Sequence, residues 1–252
     1  MHAMSLAALG ASAVLAGAVQ GATGFGFAAL AVPAFLLIMD SLAAVQVTAV
    51  VSLAMSLMLA PRLWRAAPPH LLLPLIAGSV AGFPLGLAAF LLADVRLAKL
   101  AIGLLTAIFV AALTVREWRR RSLPEAGGAL AAGAPWVLFV VGVASGLTGA
   151  ALAAPGPLVV LYLLGRGIPM QTSRALTLTL FAFSYAAVTV LHAFWGGMTA
   201  ESWILAAWLA PLALIGAAGG HLAAALLSER QFRMLALAVL TVAAAMAIAS
   251  GL

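Results

Sequence analysis

Two short segments of this chain share the residue types that bind anions through backbone and side-chain donors. They read Gln20-Gly21-Ala22-Thr23-Gly24-Phe25-Gly26 and Ser145-Gly146-Leu147-Thr148-Gly149. Glycine lets a ligand approach the backbone closely, and the glutamine, serine and threonine side chains carry hydrogen-bond donors. A helix that starts after Gly24 or after Gly149 would direct its free N–H groups and positive dipole end at the same ligand. The pattern therefore favours binding of an oxyanion.

Polar residues on later helices are expected to reach the same place. Arg174 lies one turn before Thr177 and is the best candidate for a charged partner, although it also fits the role of a cytoplasmic topology anchor. Loss of one donor, as in Thr148→Val, is predicted to weaken anion binding without unfolding the protein. The predicted substrate-binding residues are Gln20, Thr23, Gly24, Gly26, Gln46, Thr48, Ser145, Thr148, Gly149, Arg174 and Thr177.

The glycines also have an interpretation that needs no ligand. Small residues spaced four apart let membrane helices pack closely, and this applies equally to the spacings Gly17-x-x-x-Gly21 and Gly142-x-x-x-Gly146. For Gly78, Gly82, Gly86, Gly216 and Gly220, packing is the favoured role. His192 and His221 are likewise interpreted as packing residues.

The composition places these residues in a membrane. Of 252 residues, 66% are hydrophobic and 7% are charged, whereas soluble domains carry roughly 25% charged residues. The surface must therefore face a lipid bilayer. The net charge of +6 comes from residues that lie between apolar runs. Basic residues in such positions set membrane topology, and they do not form the contiguous face that nucleic acid requires. The chain has no cysteine, so chemistry at sulfur side chains is excluded, and neither a cofactor nor a metal is predicted.

Acidic residues avoid the predicted helix centres. Asp40, Asp94, Glu201 and Glu229 all fall at helix ends. Because sodium and proton carriers commonly place a carboxylate within the membrane, this distribution argues against a cation site. The coupling ion, a proton or sodium, and any homo-oligomer stay open.

Two of eight apolar stretches are too long for a single crossing. They cover 4–39 and 130–164, and each contains one of the glycine-rich segments, where we expect it to break. If each broken stretch returns to its starting side, as two full spans or as a re-entrant hairpin, ten of the twelve basic residues share one face. That arrangement obeys the positive-inside rule and puts both termini outside. The ten residues are Arg62, Arg65, Arg116, Arg119, Arg120, Arg121, Arg166, Arg174, Arg230 and Arg233.

An odd number of passes in each half makes the second half inverted relative to the first. The sequence thus predicts an all-α polytopic membrane protein with two inverted repeats, 1–116 and 134–252, joined by a cytoplasmic linker, 117–133. Each repeat has a broken or re-entrant first helix pair and three transmembrane helices, about 8–10 membrane segments in all. Inverted repeats with broken helices are typical of secondary transporters.

The paired motifs resemble the sulfite exporter TauE/SafE family, also called TSUP. The similarity lies in Gly21-Ala-Thr-Gly-Phe-Gly26 with Pro33, in Ser145-Gly-Leu-Thr-Gly149 with Pro155, and in the helices of Thr48 and Thr177. It implies a carrier in a bacterial inner membrane that exports sulfite, sulfoacetate, another organosulfonate or a related small anion.

Two other functions, a channel and a hydrolase, are alternatives to a carrier. A channel for a small anion would use the same dipoles and threonines. An intramembrane hydrolase is disfavoured, because Gly142-Val-Ala-Ser145-Gly146 lacks the Gly-x-Ser-Gly spacing of rhomboid proteases and no pair of mid-membrane aspartates exists.

Overall fold

Apolar helices make up nearly all of the structure. The computed structural model describes residues 3–24, 26–60, 63–122, 134–226, 238, 241–242 and 244–252. Its helices are α1 (Ala3–Thr23), α2 (Phe27–Met39), α3 (Ala43–Leu59), α4 (Pro69–Leu92), α5 (Val95–Ser122), α6 (Pro135–Leu152), α7 (Gly156–Gly165), α8 (Met170–Phe194) and α9 (Ala200–Leu226). Residues 244–251 are also helical, and Trp64–Ala66 form a short 3-10 helix.

Six of the described helices are long and apolar enough to cross a membrane. The spans are Met4–Ala22, Pro69–Leu92, Val95–Val115, Pro135–Leu152, Gln171–Phe194 and Ala200–Leu222. The predicted class, an all-helical polytopic membrane protein, is therefore confirmed.

Two helices are too short to cross a bilayer. At about 1.5 Å per residue, the 13 residues of α2 and the 10 residues of α7 reach well short of a hydrocarbon core of about 30 Å. Each follows a three-residue interruption, at residues 24–26 and 153–155. We call α2 and α7 the half-helices, and the two interruptions break 1 and break 2.

Break 2 does not lie where the glycine pattern placed it. The prediction that a helix starts after Gly149 is wrong, because α6 continues through Thr148 and Gly149 to Leu152. Pro155 explains the shift, since a proline lacks an N–H group and disfavours helical backbone at the preceding residue. Ala153 ends α6 in a left-handed conformation, with φ 50°, two residues before the proline.

The first half-helix is surrounded by protein. Phe27, Phe35 and Leu36 of α2 are fully buried, and α2 packs against α1, α3 and α5. A backbone interruption leaves hydrogen-bonding groups that lipid cannot satisfy, so it is tolerable only in such a protein-lined setting.

Two pairs of parallel helices are in backbone contact through glycine. A Cβ added at Gly78 or Gly82 of α4 would lie 2.0 or 2.1 Å from the carbonyl oxygens of Phe139 or Val143 in α6. In the same way, Gly216 and Gly220 of α9 face the carbonyls of Val14 and Ala18 in α1. The packing role predicted for these four glycines thus matches their contacts.

The two glycine-lined interfaces have the same register. Adding 125 to a residue of α1 gives its counterpart in α6, as in Gly17 and Gly142, and adding 138 to a residue of α4 gives its counterpart in α9, as in Gly78 and Gly216. Gly17 faces the carbonyl of Ala213, and its counterpart Gly142 faces the carbonyl of Leu75. Each of these contacts between α1 and α9 thus has an equivalent contact between α6 and α4.

The helices run between two distinguishable ends. At one, which we call the Asp40 end, Asp40 follows α2 and Lys99 lies in the second turn of α5. The Nζ of Lys99 lies 2.6 Å from the Oδ1 of Asp40. Arg96 donates hydrogen bonds to the carbonyls of Gly251 and Leu252 there. The opposite end, where α3 and α9 finish and α8 begins, we call the Arg174 end. Followed in chain order, α1 runs from the Asp40 end and α6 runs from the Arg174 end.

Candidate functional site

A large cavity lies at the Arg174 end. Its volume is about 660 Å³. Most of its wall is apolar, and Arg174, Gln171 and His221 supply its polar side chains. The lining residues are Gly21, Ala22, Met58, Leu59, Leu63, Gln171, Arg174, Leu178, Leu214, Ala217, Ala218, His221 and Leu222.

Arg174 is the cationic residue of this cavity, and its hydrogen-bonding capacity is largely unused. Its Nη2 lies 3.4 Å from the carbonyl oxygen of Gly21, which is a long hydrogen bond. Its Nε is buried and has no acceptor within the described part of the chain. A buried donor without a partner is costly, so this guanidinium is poised to receive an acceptor from the cavity.

Break 1 is shaped to receive the arginine. Gly24 has φ 85°, a left-handed conformation that favours glycine. A Cβ at this position would lie 2.8 Å from the Nε and 2.9 Å from the Cγ of Arg174. Both the backbone conformation and the space therefore require glycine, and the side chain of Arg174 lies directly over the break.

Gln20 organises the other side of break 1. Its Oε1 accepts a hydrogen bond of 3.1 Å from the backbone N–H of Phe27, the first residue of α2, and its carbonyl accepts one of 2.7 Å from Gly24. The side chain is 3% exposed. Its Nε2 has no partner among the described residues.

A small chamber separates the starts of the two half-helices. It has a volume of about 20 Å³. Gly26 precedes α2 and Gly156 begins α7, so two helix N-termini meet at this chamber. The lining residues are Gln20, Gly26, Ala28, Ala29, Phe109, Gly156, Pro157, Phe181 and Tyr185.

The hydroxyls predicted to bind substrate near break 2 are bonded to backbone carbonyls. Ser145 donates to the carbonyl of Pro155 at 2.8 Å, and Thr148 donates to the carbonyl of Ala144 at 2.9 Å. Gly149 packs against Pro155, with 3.3 Å between a built Cβ and the proline Cβ. These residues hold break 2 in shape, and neither cavity includes them.

The predicted residues on α3 and on the body of α8 are also bonded elsewhere. Gln46 donates to the carbonyl of Gly196 at 2.7 Å, toward the Asp40 end. Thr48 donates to Ala44 and Thr177 to Ser173, each one turn back in its own helix. Of the predicted residues, Arg174 therefore lines the large cavity, and Gln20 and Gly26 line the small chamber. Gly24 lies against the side chain of Arg174.

Several residues of these cavities were missed by the sequence analysis. Tyr185 donates to the carbonyl of Ala153 at 3.2 Å and lines the chamber. His221, interpreted as a packing residue, is exposed and lines the large cavity. His192 is fully buried and bonded to the carbonyl of Ala150, as a packing role predicts. The Pro155-Gly156-Pro157 run was the available signal for the start of α7.

Some predicted features lie outside the described residues. These are the side chain of Thr23, Phe25, Arg62, Arg230, Arg233, the side chains of the arginines at 116–121, and residues 123–133 of the predicted linker.

Broken helices around a site inside a polytopic membrane protein are typical of transporters. The family model for the sulfite exporter TauE/SafE matches residues 9–247. The chain belongs to this family, which confirms the resemblance drawn from its motifs. Searches of curated proteins and of solved structures gave no significant match.

Proposed function

We propose that this protein is a secondary carrier that exports a small sulfur-containing anion, such as sulfite, sulfoacetate or another organosulfonate, by alternating access. The observation that carries the proposal is the cavity of about 660 Å³ that Arg174 lines. Its size suits a small organic anion, and Arg174 supplies a guanidinium whose Nε has no acceptor among the described residues. Guanidinium groups bind oxyanions through parallel, charge-assisted hydrogen bonds.

In this proposal the anion replaces the weak contact between Arg174 and the carbonyl of Gly21. Gly21 lines the cavity beside the arginine and Gly24 lies against its side chain, whereas Gln20 and Gly26 line the separate small chamber. The remaining predicted residues, Gln46, Thr48, Ser145, Thr148, Gly149 and Thr177, we assign to support of the helices, because those with side-chain donors already have acceptors.

The repeat structure that alternating access requires is also part of the proposal. We propose that 1–116 and 134–252 are inverted repeats joined by the linker 117–133. Support comes from the shared register of the two glycine-lined interfaces and from the opposite directions of α1 and α6. Two such units can exchange conformations around a site between them.

The placement in the cell is proposed on charge. The Arg174 end carries Arg65, Arg166 and Arg174, and the positive-inside rule makes it cytoplasmic. The large cavity then faces the cytoplasm of a bacterial cell, from which an exporter loads, and both termini lie outside.

The first experiment is a thermal-shift screen of sulfite, sulfoacetate, other sulfonates and unrelated anions on the purified protein, since a ligand that binds the native state raises its apparent stability. Arg174→Gln should abolish the shift given by the best ligand. Arg65→Gln is the matched control, because Arg65 stacks on Trp64 at the same end and does not line the cavity. An unchanged shift in Arg174→Gln would refute the proposed site.

Flux into liposomes distinguishes a carrier from a channel. A carrier gives saturable uptake of the labelled anion that is accelerated by the same anion on the opposite side. Unsaturated current at a fixed voltage would establish the channel instead.

A further inference from the structure

We infer that the small chamber between the half-helices is a second anion site, separate from the Arg174 cavity, which binds one monatomic anion of about the size of chloride. This inference goes beyond the carried substrate. It concerns an ion that sits among Gln20, Gly26 and Gly156, on the far side of break 1 from the arginine.

The size of the chamber selects the class of ligand. A volume of about 20 Å³ accommodates a single water-sized group. Sulfite has four heavy atoms and an organosulfonate has more, so neither fits between α2 and α7 as they are packed here. A halide ion is close to water in size.

The polar groups that face the chamber from α1 and α2 are donors. The Nε2 of Gln20 is buried and lacks an acceptor within the described residues. The first N–H groups of a helix have no acceptor inside that helix, and Ala28 and Ala29 of the first turn of α2 line the chamber. In this turn the N–H of Phe27 donates to the Oε1 of Gln20, and the N–H of Leu30 donates to the carbonyl of Gly26.

The first turn of α7 adds a donor from the opposite side. Gly156 lines the chamber and carries an N–H group, whereas Pro155 and Pro157 carry none. A Cβ at Gly156 would lie 2.7 Å from the Cζ of Phe181, so glycine allows the aromatic wall to close on the backbone.

Charge and polarity favour an anion over water or a cation. None of the residues that line the chamber is acidic, and the hydroxyl of Tyr185 already donates to the carbonyl of Ala153. A water molecule must donate as well as accept, whereas an anion only accepts. The positive ends of two helix dipoles point at the same small volume, and the rings of Phe109 and Phe181 form part of its wall.

An ion in this position would hold the half-helices together. Two facing helix N-termini repel each other, and a bound anion turns that repulsion into attraction. Chloride should therefore stabilise the conformation described here, in which α2 and α7 meet.

The test replaces the free donor and keeps the rest of the side chain. In Gln20→Glu, one carboxylate oxygen can still accept from Phe27, while the other occupies the position of Nε2 and repels an anion. We expect the melting temperature of the native protein in detergent to rise when gluconate is exchanged for chloride at constant ionic strength. In Gln20→Glu the apparent affinity for chloride should fall by about tenfold or more, as expected for loss of a hydrogen bond to a charged group.

Gln46→Glu is the control for burying a carboxylate away from the chamber: it breaks the bond to the carbonyl of Gly196, so it should lower the melting temperature but keep the rise given by chloride. If Gln20→Glu does not fold, Ala29→Val fills the chamber instead, with Ala218→Val in the large cavity as its control. A crystal soaked in bromide should show an anomalous peak between Gly26 and Gly156. Absence of that peak, or a chloride response that survives both chamber variants, would overturn the inference. Loss of oxyanion binding in Arg174→Gln bears on the large cavity alone, so the two proposals fail separately.

Discussion

At the scale of single residues, the site depends on Gly24 and Arg174, because the arginine side chain fills the space that a Cβ at position 24 would need. Gly24 has a left-handed backbone and lies where the side chain of Arg174 crosses break 1. The absent Cβ permits the close approach, so the position of the guanidinium is set by the backbone of break 1.

Gly24→Ala should therefore lower both stability and anion binding. The left-handed backbone alone should cost about 1–2 kcal/mol for an alanine, and the added Cβ should displace Arg174 from the end of the cavity. The measurement is the melting temperature with and without the best anion from the screen.

Gly197→Ala separates these two effects. Gly197 also has a positive φ, 67°, and a Cβ there has no neighbour within 4 Å. It should lose comparable stability and bind the anion as the native protein does. Equal loss of binding in both variants would mean that strain, rather than the arginine, explains the effect.

The hydroxyls of Ser145 and Thr148 in α6 argue against a role predicted from the sequence. Thr148 donates within its own helix, so Thr148→Val should leave anion binding unchanged. Ser145→Ala should destabilise the protein by about 1 kcal/mol, because the buried carbonyl of Pro155 loses its donor. Denaturation and anion titration of both variants check this, and weakened binding in Thr148→Val would restore the original hypothesis.

Residue types alone could not settle these roles. Serine and threonine in helices often bond to the carbonyl one turn back, which leaves no donor for a ligand, and no pattern in the sequence shows which acceptor each hydroxyl finds. Arg174 was identifiable because it is a cation one turn before Thr177. The unpaired Nε2 of Gln20 became visible only once the position of Phe27 was known.

At the scale of helices, composition and periodicity were informative. An all-helical membrane protein and its family were predicted from the sequence and are confirmed. Break 1 falls at the predicted glycine-rich segment, whereas break 2 falls at the proline run that follows its glycines. The lesson is physical: glycine permits an interruption, and the closely spaced Pro155 and Pro157 remove two N–H groups that would continue a helix, whereas the single prolines Pro33 and Pro211 lie inside helices.

The glycine-lined interfaces give a prediction at this scale. Gly78→Ala should destabilise the protein by about 1–3 kcal/mol, the usual cost of overpacking, because its Cβ would lie 2.0 Å from the carbonyl oxygen of Phe139. Gly219→Ala in α9 is the control, since a Cβ there meets nothing within 4 Å, and it should be neutral or slightly stabilising. Unfolding in detergent measures both, and equal stabilities would show that the α4–α6 contact is loose.

For the whole molecule, the two ends differ in how their charges are used. At the Asp40 end, Lys99 is paired with Asp40, and Arg96 bonds to the last two residues of the chain. At the Arg174 end, the Nε of the arginine in the cavity has no acceptor in the part of the chain that the structure describes. This asymmetry supports loading of an anion from the Arg174 end.

Thiol labelling tests the sidedness directly, because the native chain has no cysteine. Ser250→Cys lies at the Asp40 end and Gln171→Cys at the Arg174 end, and both positions are exposed. A membrane-impermeant thiol reagent should label the first in intact cells and the second only after lysis. The reverse pattern would invert the proposed topology.

The pairing of α1 with α9 has a consequence for how the protein is made. Gly17 and Gly21 contact backbone at Ala213 and Ala217, so α1 meets its partner only after α2 to α8 have been synthesised. Until then its glycine face is open to other helices in the membrane. Assembly must therefore finish after translation of α9, and chains that stall before it should be prime substrates for membrane quality-control proteases.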